Sequence, residues 1–259
     1  MKKIILIKFG GSLITDKTKT NIARLDVIEN LVRQVKSSFA KASEDEVSFI
    51  IATGAGGFGH PVAKKYENNL KEGLPFIKDA VKKINNIVVS ALINGGLKAV
   101  SVEPSKIAEY ENGQITKLLY DYIVKLLKKN IMPVFHADLI DDKKLGISIL
   151  SMDRFLVDYA IYLKNKGYVV KKVIFCGTTD GVLDNQGKTI EKINKTNISE
   201  VDKAFYDNKE VDTSGGMKRK VKECLILTDH KIPCLIINGQ KEGNLLRTIT
   251  GDKVVATQF

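Results

Sequence analysis

The sequence predicts an α/β protein, a three-layer αβα sandwich around a mostly parallel central sheet. Three observations predict it. Apolar runs of strand length alternate with runs of helical spacing along the chain, the order that buries a parallel sheet between two layers of helices. The first strands are continuously apolar and do not alternate, Ile4-Ile5-Leu6-Ile7 and Phe49-Ile50-Ile51-Ala52, as in strands covered on both faces. Glycine pairs follow these strands and lead towards helices, which suits turns at one edge of such a sheet. At 259 residues the chain fits one large domain or two closely joined lobes.

Residues 4–9 form the first strand, which runs into Lys8-Phe9-Gly10-Gly11-Ser12. Residues 13–21 read as a polar loop carrying Lys17. Leu25, Ile28, Leu31, Val32, Val35 and Phe39 have helical spacing over 25–39. Residues 40–46 are polar and charged, and no chemistry is assigned to them. Residues 47–52 are the second strand and enter Thr53-Gly54-Ala55-Gly56-Gly57-Phe58-Gly59-His60. Pro61 is expected to open a helix over 61–70, and Glu72-Gly73-Leu74-Pro75 to break it. A long helix over 76–95 follows, then a strand over 97–102 closed by Pro104 and a hairpin over 107–115 turning at Asn112-Gly113. A helix over 116–129 and a strand over 131–136 come next, and the charged residues 138–144 read as another hairpin.

Ser151 is expected to cap a helix running to about 166, with Asp153 in its first turn. Residues 171–176 are a strand ending in Gly177-Thr178-Thr179-Asp180-Gly181-Val182-Leu183-Asp184. A short helix over 199–205, a third glycine turn over 212–216, a helix over 217–230, a strand over 233–238, a helical turn over 245–250 and a strand over 254–259 complete the reading.

Composition excludes several classes. Hydrophobic residues at 44% and charged residues at 27% are those of an ordinary soluble protein. No apolar run approaches the roughly 18–20 residues of a membrane span. Lys8 interrupts the first apolar run early, which makes the N-terminus a poor signal peptide and a good strand, so a cytoplasmic protein with no membrane partner is expected. Cys176, Cys224 and Cys234 are far apart in apolar runs and read as reduced core residues. His60, His136 and His230 form no Cys/His cluster, so no protein-held metal is expected, and His136 reads as structural. The net charge of +11 would attract nucleic acid. The lysines, however, are scattered over helix faces and no tryptophan is present, so the charge reads as a solvated surface and no nucleic-acid partner is expected.

The chemistry gathers at the glycine turns. A strand, a glycine-rich turn and a helix bring bare backbone N–H groups and the positive end of a helix to one point, which suits phosphate. The same glycines would also serve a turn alone. Gly10-Gly11, Gly54 to Gly59 and Gly215-Gly216 each have a basic residue at or beside them: Lys8, His60 and Lys220. Carboxyl ends of parallel strands meet on one edge, so three glycine turns and three cations can converge there. Phosphoryl transfer needs that combination: amides around phosphates, cations against developing charge and little covalent chemistry by the protein. The pattern is not that of a P-loop. Lys8 within a strand is costly to bury unpaired, which favours a functional role. Lys218 and Lys220 stay as alternatives for the cation after the third turn, and Asp180 and Asp184 also read as plain turn residues.

On these residues the chain resembles the amino acid kinase superfamily over essentially its full length. The resemblance is carried by Lys8-x-Gly10-Gly11-Ser12, Asp180-Gly181-Val182-x-Asp184 and Gly215-Gly216-Met217-x-x-Lys220. Within it, Gly54 to Tyr66, with His60-Pro61-Val62-Ala63-Lys64-Lys65, is similar to the isopentenyl phosphate kinase family. The resemblance implies an ATP-dependent kinase that phosphorylates isopentenyl phosphate to isopentenyl diphosphate, with Mg²⁺ accompanying ATP, in a homodimer. It implies an acceptor-binding lobe over about 1–166 and an ATP-binding lobe over about 167–259. By resemblance Lys8 and Lys220 brace the γ-phosphoryl and Asp153 holds both lysines. Gly10, Gly11 and Ser12 cradle ATP phosphates, and Lys17 reaches over the same charge. Ala55 and Gly56 meet substrate phosphate and ATP, Gly54 and Gly59 shape the acceptor turn, and His60 binds the acceptor phosphate. Asp180, Gly181, Asp184, Gly215 and Gly216 line the nucleotide. The chain departs from the family pattern at Thr53, Ala55, Gly57 and Met152, and the last is expected to affect substrate size. The alternatives are a kinase for another phosphate or phosphonate, similar to fosfomycin kinases, and a non-catalytic nucleotide-binding protein on the same fold.

Overall fold

The computed structural model describes residues 3–16, 18–41, 47–199, 201 and 216–259. Among them the strands are β1 (Lys3–Phe9), β2 (Val47–Thr53), β3 (Ala99–Val102), β4 (Ala108–Glu111), β5 (Gln114–Leu118), β6 (Met132–His136), β7 (Asp138–Asp142), β8 (Gly146–Leu150), β9 (Val169–Gly177), β10 (Cys234–Asn238) and β11 (Ala256–Gln258). The helices are α1 (Gly11–Ile14), α2 (Leu25–Lys41), α3 (Gly56–Lys65), α4 (Leu70–Asn94), α5 (Pro104–Ile107), α6 (Tyr120–Lys128), α7 (Met152–Asn165), α8 (Gly216–Asp229) and α9 (Asn244–Thr250).

The large sheet has the order β11-β10-β9-β1-β2-β6-β3. Neighbours are parallel except β10 and β11. Alternation along β1 divides the core. Ile4 and Leu6 join one apolar cluster with Phe155, Leu156 and Tyr159 of α7 and Val221, Cys224 and Leu227 of α8. Ile5, Ile7 and Phe9 join the other, with Ile28 and Leu31 of α2, Ile84 and Val88 of α4, and Ile249 of α9. These are the three expected layers, and they explain why β1 and β2 are apolar on both faces. Lys8 shares the parity of Ile4 and Leu6 and so points to the α7 side.

β1 pairs with β2 on one side and β9 on the other. Chain order therefore reverses at β1, and the carboxyl ends of β1, β2 and β9 frame a crevice of the kind that holds ligands in open α/β sheets. A second sheet, β5-β4-β7-β8, stands at that edge, because β7 follows β6 after Ala137 alone and β8 leads directly into α7. Its turns are tied by Asp142, which accepts from the N–H groups of Asn112, Gly113, Lys144 and Leu145. Burial pushes this carboxyl up, but the amides outweigh burial and hold it at about 2. Asn112 and Gly113 both have positive φ, 52° and 74°, the expected hairpin turn.

Several expected boundaries move. Residues 13 and 14 of the expected loop belong to α1, and both side chains are fully buried. α3 begins at Gly56, so Pro61 lies inside it. A proline cannot donate to the carbonyl four residues back, and the Gly57 carbonyl instead accepts from Asn21 N–H at 3.2 Å. The break falls at residues 66–69. Gly73 and Pro75 lie in the first turns of α4, whose Asn69 cap accepts from Glu72 N–H at 3.3 Å. Residues 116–118 belong to β5, so the helix after it begins only at Tyr120. The strand over 97–102 starts at Ala99, and residues 138–150 form a full hairpin of β7 and β8. Ser151 sits at the start of α7 but makes no side-chain cap bond. Most of the helix expected over 199–205, and the glycine turn over 212–215, lie outside the described residues. The three cysteines are free and buried, as expected. His136 is buried, with Nδ1 2.8 Å from the Ala137 carbonyl. Burial pushes its pKa below the ordinary value, so the ring is neutral at pH 7 and structural.

Candidate active site

The site is built where two strand ends touch. Gly10 follows β1 and Gly54 follows β2, and Gly54 N–H donates to the Phe9 carbonyl at 2.9 Å. Their turns then run backbone against backbone. A Cβ on Gly54 would stand 2.4 Å from Gly11 N, and one on Gly11 would stand 2.4 Å from Gly56 N. Side chains at Gly11 or Gly54 would force the turns apart. Gly56 has φ +50°, and a Cβ there would meet Thr15 Oγ1 at 2.2 Å. The glycines are thus needed for close approach as well as for turning.

Backbone donors separate into used and open. Gly10 N–H is spent on the Cys176 carbonyl at 2.9 Å and Gly54 N–H on Phe9. Gly57 N–H donates to Thr15 Oγ1 at 2.8 Å. The N–H groups of Gly11, Ser12, Ala55 and Gly56 make no hydrogen bond among the described residues. They lie in two touching turns, and the pair at 55–56 also stands at the positive end of the ten-residue helix α3. Adjacent open amides at a helix start suit an oxyanion.

Charge comes from three elements. Lys8 Nζ forms an ion pair with Asp153 in the first turn of α7. Side-chain exposure is only 12% and 6%, so neither charge is satisfied by bulk water. Lys220, on the first turns of α8, acts electrostatically on both. Burial pushes the Lys8 ammonium below the ordinary lysine range; Asp153 opposes that shift and Lys220 adds to it. Burial alone would push the Asp153 carboxyl up, but the Lys8 and Lys220 charges hold it below the ordinary carboxylate range. Asp153 is thus ion-paired to Lys8, with the Lys220 charge acting on both. The charges of Lys220 and of its neighbour Arg219 both act on Lys8 and Asp153.

The remaining expected residues are distributed around this centre. His60 is exposed on α3, four residues past Gly56. Gly59 packs against Ala55 and Val81 of α4. Asp180 lies beyond the end of β9, where its Oδ2 accepts from Lys241 Nζ at 2.6 Å and its Oδ1 is buried without a partner among the described residues. Gly181 has φ +129° and abuts Thr257 of β11. Asp184 Oδ1 accepts from Gln186 and Lys188 N–H, both at 2.9 Å, the work of a turn residue. Gly216 opens α8. Lys17 and Gly215 lie outside the described residues.

The departures from the family pattern have local explanations. Thr53 is fully buried; its Oγ1 donates to the Phe135 carbonyl at 3.3 Å and accepts from Asn85 Nδ2 at 3.1 Å. Gly57 lets the following loop approach, since a Cβ there would stand 2.6 Å from the Asp16 carbonyl. Met152 is buried in the α7-side core. Residues 13–21 gave no sign of Thr15 as a site residue; it follows α1 in extended conformation (φ −132°, ψ 154°), and only the fold brings its hydroxyl to the Gly11 carbonyl and Gly57 N–H.

Comparison with known proteins agrees with this geometry. The sequence pattern described as the amino acid kinase family matches residues 3–238. Isopentenyl phosphate kinase of Methanocaldococcus jannaschii is 31% identical over 263 residues, covering 96% of this chain and 96% of the relative. Isopentenyl phosphate kinase of Methanothermobacter thermautotrophicus is 28% identical over 272 residues, covering 99% and 98%. An X-ray structure of isopentenyl phosphate kinase superposes with a TM-score of 0.81 at 26% identity, covering 98% of this chain and 99% of that one. With two glycine turns in backbone contact and a buried lysine–aspartate pair beneath them, the chain belongs to the amino acid kinase family, among its isopentenyl phosphate kinases, and is a phosphotransferase.

Proposed function

We propose that this protein transfers the γ-phosphoryl group of ATP to isopentenyl phosphate, giving isopentenyl diphosphate and ADP. The observation that carries the reading is the pair of touching glycine turns, each with open amides, above a buried Lys8–Asp153 pair. Two phosphates held on two turns in contact are held near each other, which is what transfer between them requires. In the step, an acceptor phosphate oxygen forms a bond to the γ-phosphorus. The bond from that phosphorus to the β–γ bridging oxygen breaks, and its electron pair leaves on ADP. A phosphate monoester with a second pKa of about 6 is already ionised at neutral pH, so no side chain needs to act as base. Asp153, held ionised between lysines, is suited to positioning them.

Residue roles follow as part of the same proposal. Gly11 and Ser12 offer amides to ATP phosphates, with Gly10 shaping the turn; Lys8 and Lys220 oppose the charge that develops on the transferring group, and Lys17 joins them from its loop. Ala55 and His60 hold the acceptor phosphate and Gly56 meets ATP beside it, with Gly54 and Gly59 shaping the acceptor turn. The buried, unpartnered Oδ1 of Asp180 fits a donor on the nucleoside, and Gly181, Asp184, Gly215 and Gly216 line the same side. Among the described residues no group of three His, Cys, Asp or Glu could hold a metal ion. Mg²⁺ is proposed to enter on the phosphate oxygens of ATP and to neutralise part of their charge. The apolar tail of the acceptor is proposed to run along α4 near Val81, which packs on Gly59; Ile84, Val88 and Leu92 are committed to the core. We further propose a homodimer in the cytoplasm, with the acceptor half over about 1–166 and the nucleotide half over about 167–259, and with small molecules and not nucleic acid as partners. No helix among the described residues is long and apolar enough to cross a membrane.

A panel of acceptors with Mg-ATP tests the reading, with ADP release as readout. Isopentenyl phosphate is expected to give the highest kcat/KM, above a phosphonate such as fosfomycin and above carboxylates. His60→Ala is expected to lose about 10²-fold in rate on isopentenyl phosphate. A preferred carboxylate or phosphonate contradicts the acceptor assignment, and unimpaired His60→Ala contradicts the role of that side chain.

A further inference from the structure

Thr15 lies in the stretch that reads as a polar loop, yet only 1% of it is exposed. Its hydroxyl makes two bonds. Oγ1 donates to the Gly11 carbonyl at 2.7 Å and accepts from Gly57 N–H at 2.8 Å. The first partner belongs to the turn after β1 and the second to the turn after β2. One hydroxyl therefore joins the two turns from behind. The bridge is tightly seated, because Gly56, the residue before the Gly57 donor, has no room for a Cβ beside Thr15 Oγ1. The Gly57 carbonyl, freed by Pro61, accepts from Asn21 N–H, and Thr15 itself pairs with Ala23. Both backbone groups of Gly57 are thus held by the segment that Thr15 begins.

We propose that Thr15 is a positioning residue that sets the separation of the donor-phosphate and acceptor-phosphate turns. The inference rests on the proposed phosphoryl transfer, in which ATP lies chiefly on the first turn and the acceptor phosphate on the second. Neither hydroxyl bond involves a group that is open to ligand: Gly57 N–H is occupied and the Gly11 carbonyl would repel phosphate. Loss of the bridge consequently leaves each turn able to bind its own phosphate. What it changes is the distance and alignment between them, to which in-line transfer is steeply sensitive; about 1 Å of misplacement can lower a rate by about 10²-fold.

The test compares Thr15→Val, which keeps the shape and removes both bonds, with Thr15→Ser, which keeps the hydroxyl. ATP and isopentenyl phosphate are titrated separately by calorimetry, and kcat is measured with both present. Thr15→Val is expected to lower kcat by about tenfold or more while each separate Kd moves by less than about threefold; Thr15→Ser is expected to stay within about threefold of wild type throughout. Unchanged kcat in Thr15→Val overturns the proposal. So does a rise in either Kd that matches the loss of kcat, because that is a binding or general structural role. If Thr15→Val does not fold, Thr15→Ser decides: kcat near wild type supports the hydroxyl bridge, and a tenfold loss overturns it. Wild-type protein that turns over no acceptor overturns the functional reading and this role with it, whereas wild-type turnover beside an unimpaired Thr15→Val overturns this role alone.

Discussion

At the scale of single residues the centre of the site is the buried Lys8–Asp153 pair under the charge of Lys220. Lys8 and Lys220 outweigh burial at Asp153 and hold its carboxyl below the ordinary range, and Asp153 in turn opposes the burial that pushes the Lys8 ammonium down. Asp153→Asn, nearly isosteric, is therefore expected to lower kcat by about 10²–10³-fold and to destabilise the fold by about 3–5 kcal/mol through the uncompensated charge. The pH dependence carries a sign. With Lys8 as the proposed cation, activity is expected to fall as pH rises through its pKa, and that limb lies below the ordinary lysine value of about 10.4. Asp153 raises the Lys8 pKa, so removing it moves the limb to still lower pH. A pH–rate profile checks both statements, and a limb that does not move in Asp153→Asn contradicts the coupling. Lys8 was legible in the sequence because an ammonium inside an apolar strand needs a partner. Thr15 was not, because a hydroxyl bridge between turns 42 residues apart in the chain exists only once α1 and α3 are in place.

At the scale of elements the two glycine turns act as one unit. Gly54→Ala would bring Cβ to 2.4 Å from Gly11 N, and no flexible side chain is there to yield. The turns must separate, as in other overpacked sites, where the cost is about 1–3 kcal/mol. For a chain of this size that is a fall in Tm of about 2–4 °C for each kcal/mol. The rate is expected to fall much further, by about 10²-fold, because the geometry disturbed is that of the two phosphates. Parallel measurement of Tm and kcat checks this; a rate loss no greater than the stability loss explains would contradict the turn-to-turn argument. Glycine spacing and flanking strands made these turns readable. Their helix boundaries were not, since Pro61 and Pro75 read as helix edges in sequence and lie inside helices in the fold. Asn21 takes up the carbonyl that Pro61 leaves, and Asn69 supplies the cap for α4. Asn21 is placed by tertiary structure that no local pattern shows, whereas Asn69-x-x-Glu72 is a local capping pattern that marks the true start of α4.

At the scale of the whole molecule, alternation of strands and helices predicted the layers, and continuous apolar strands predicted a sheet covered on both faces. The strand order was not contained in that pattern. Placing β1 between β2 and β9 is what brings residues 8, 54 to 60, 153 and 220 from four separated segments towards one edge. Parallel strands offer their carboxyl ends together, so the order of the central three strands, more than any single motif, gathers scattered glycines and lysines into the proposed two-phosphate site. The reaction itself can be watched directly by ³¹P NMR of the protein with Mg-ATP and isopentenyl phosphate. Transfer onto the acceptor phosphate predicts loss of the isopentenyl phosphate signal, matched one for one by a new diphosphate and by ADP; ADP accompanied by inorganic phosphate with the acceptor signal unchanged would contradict it.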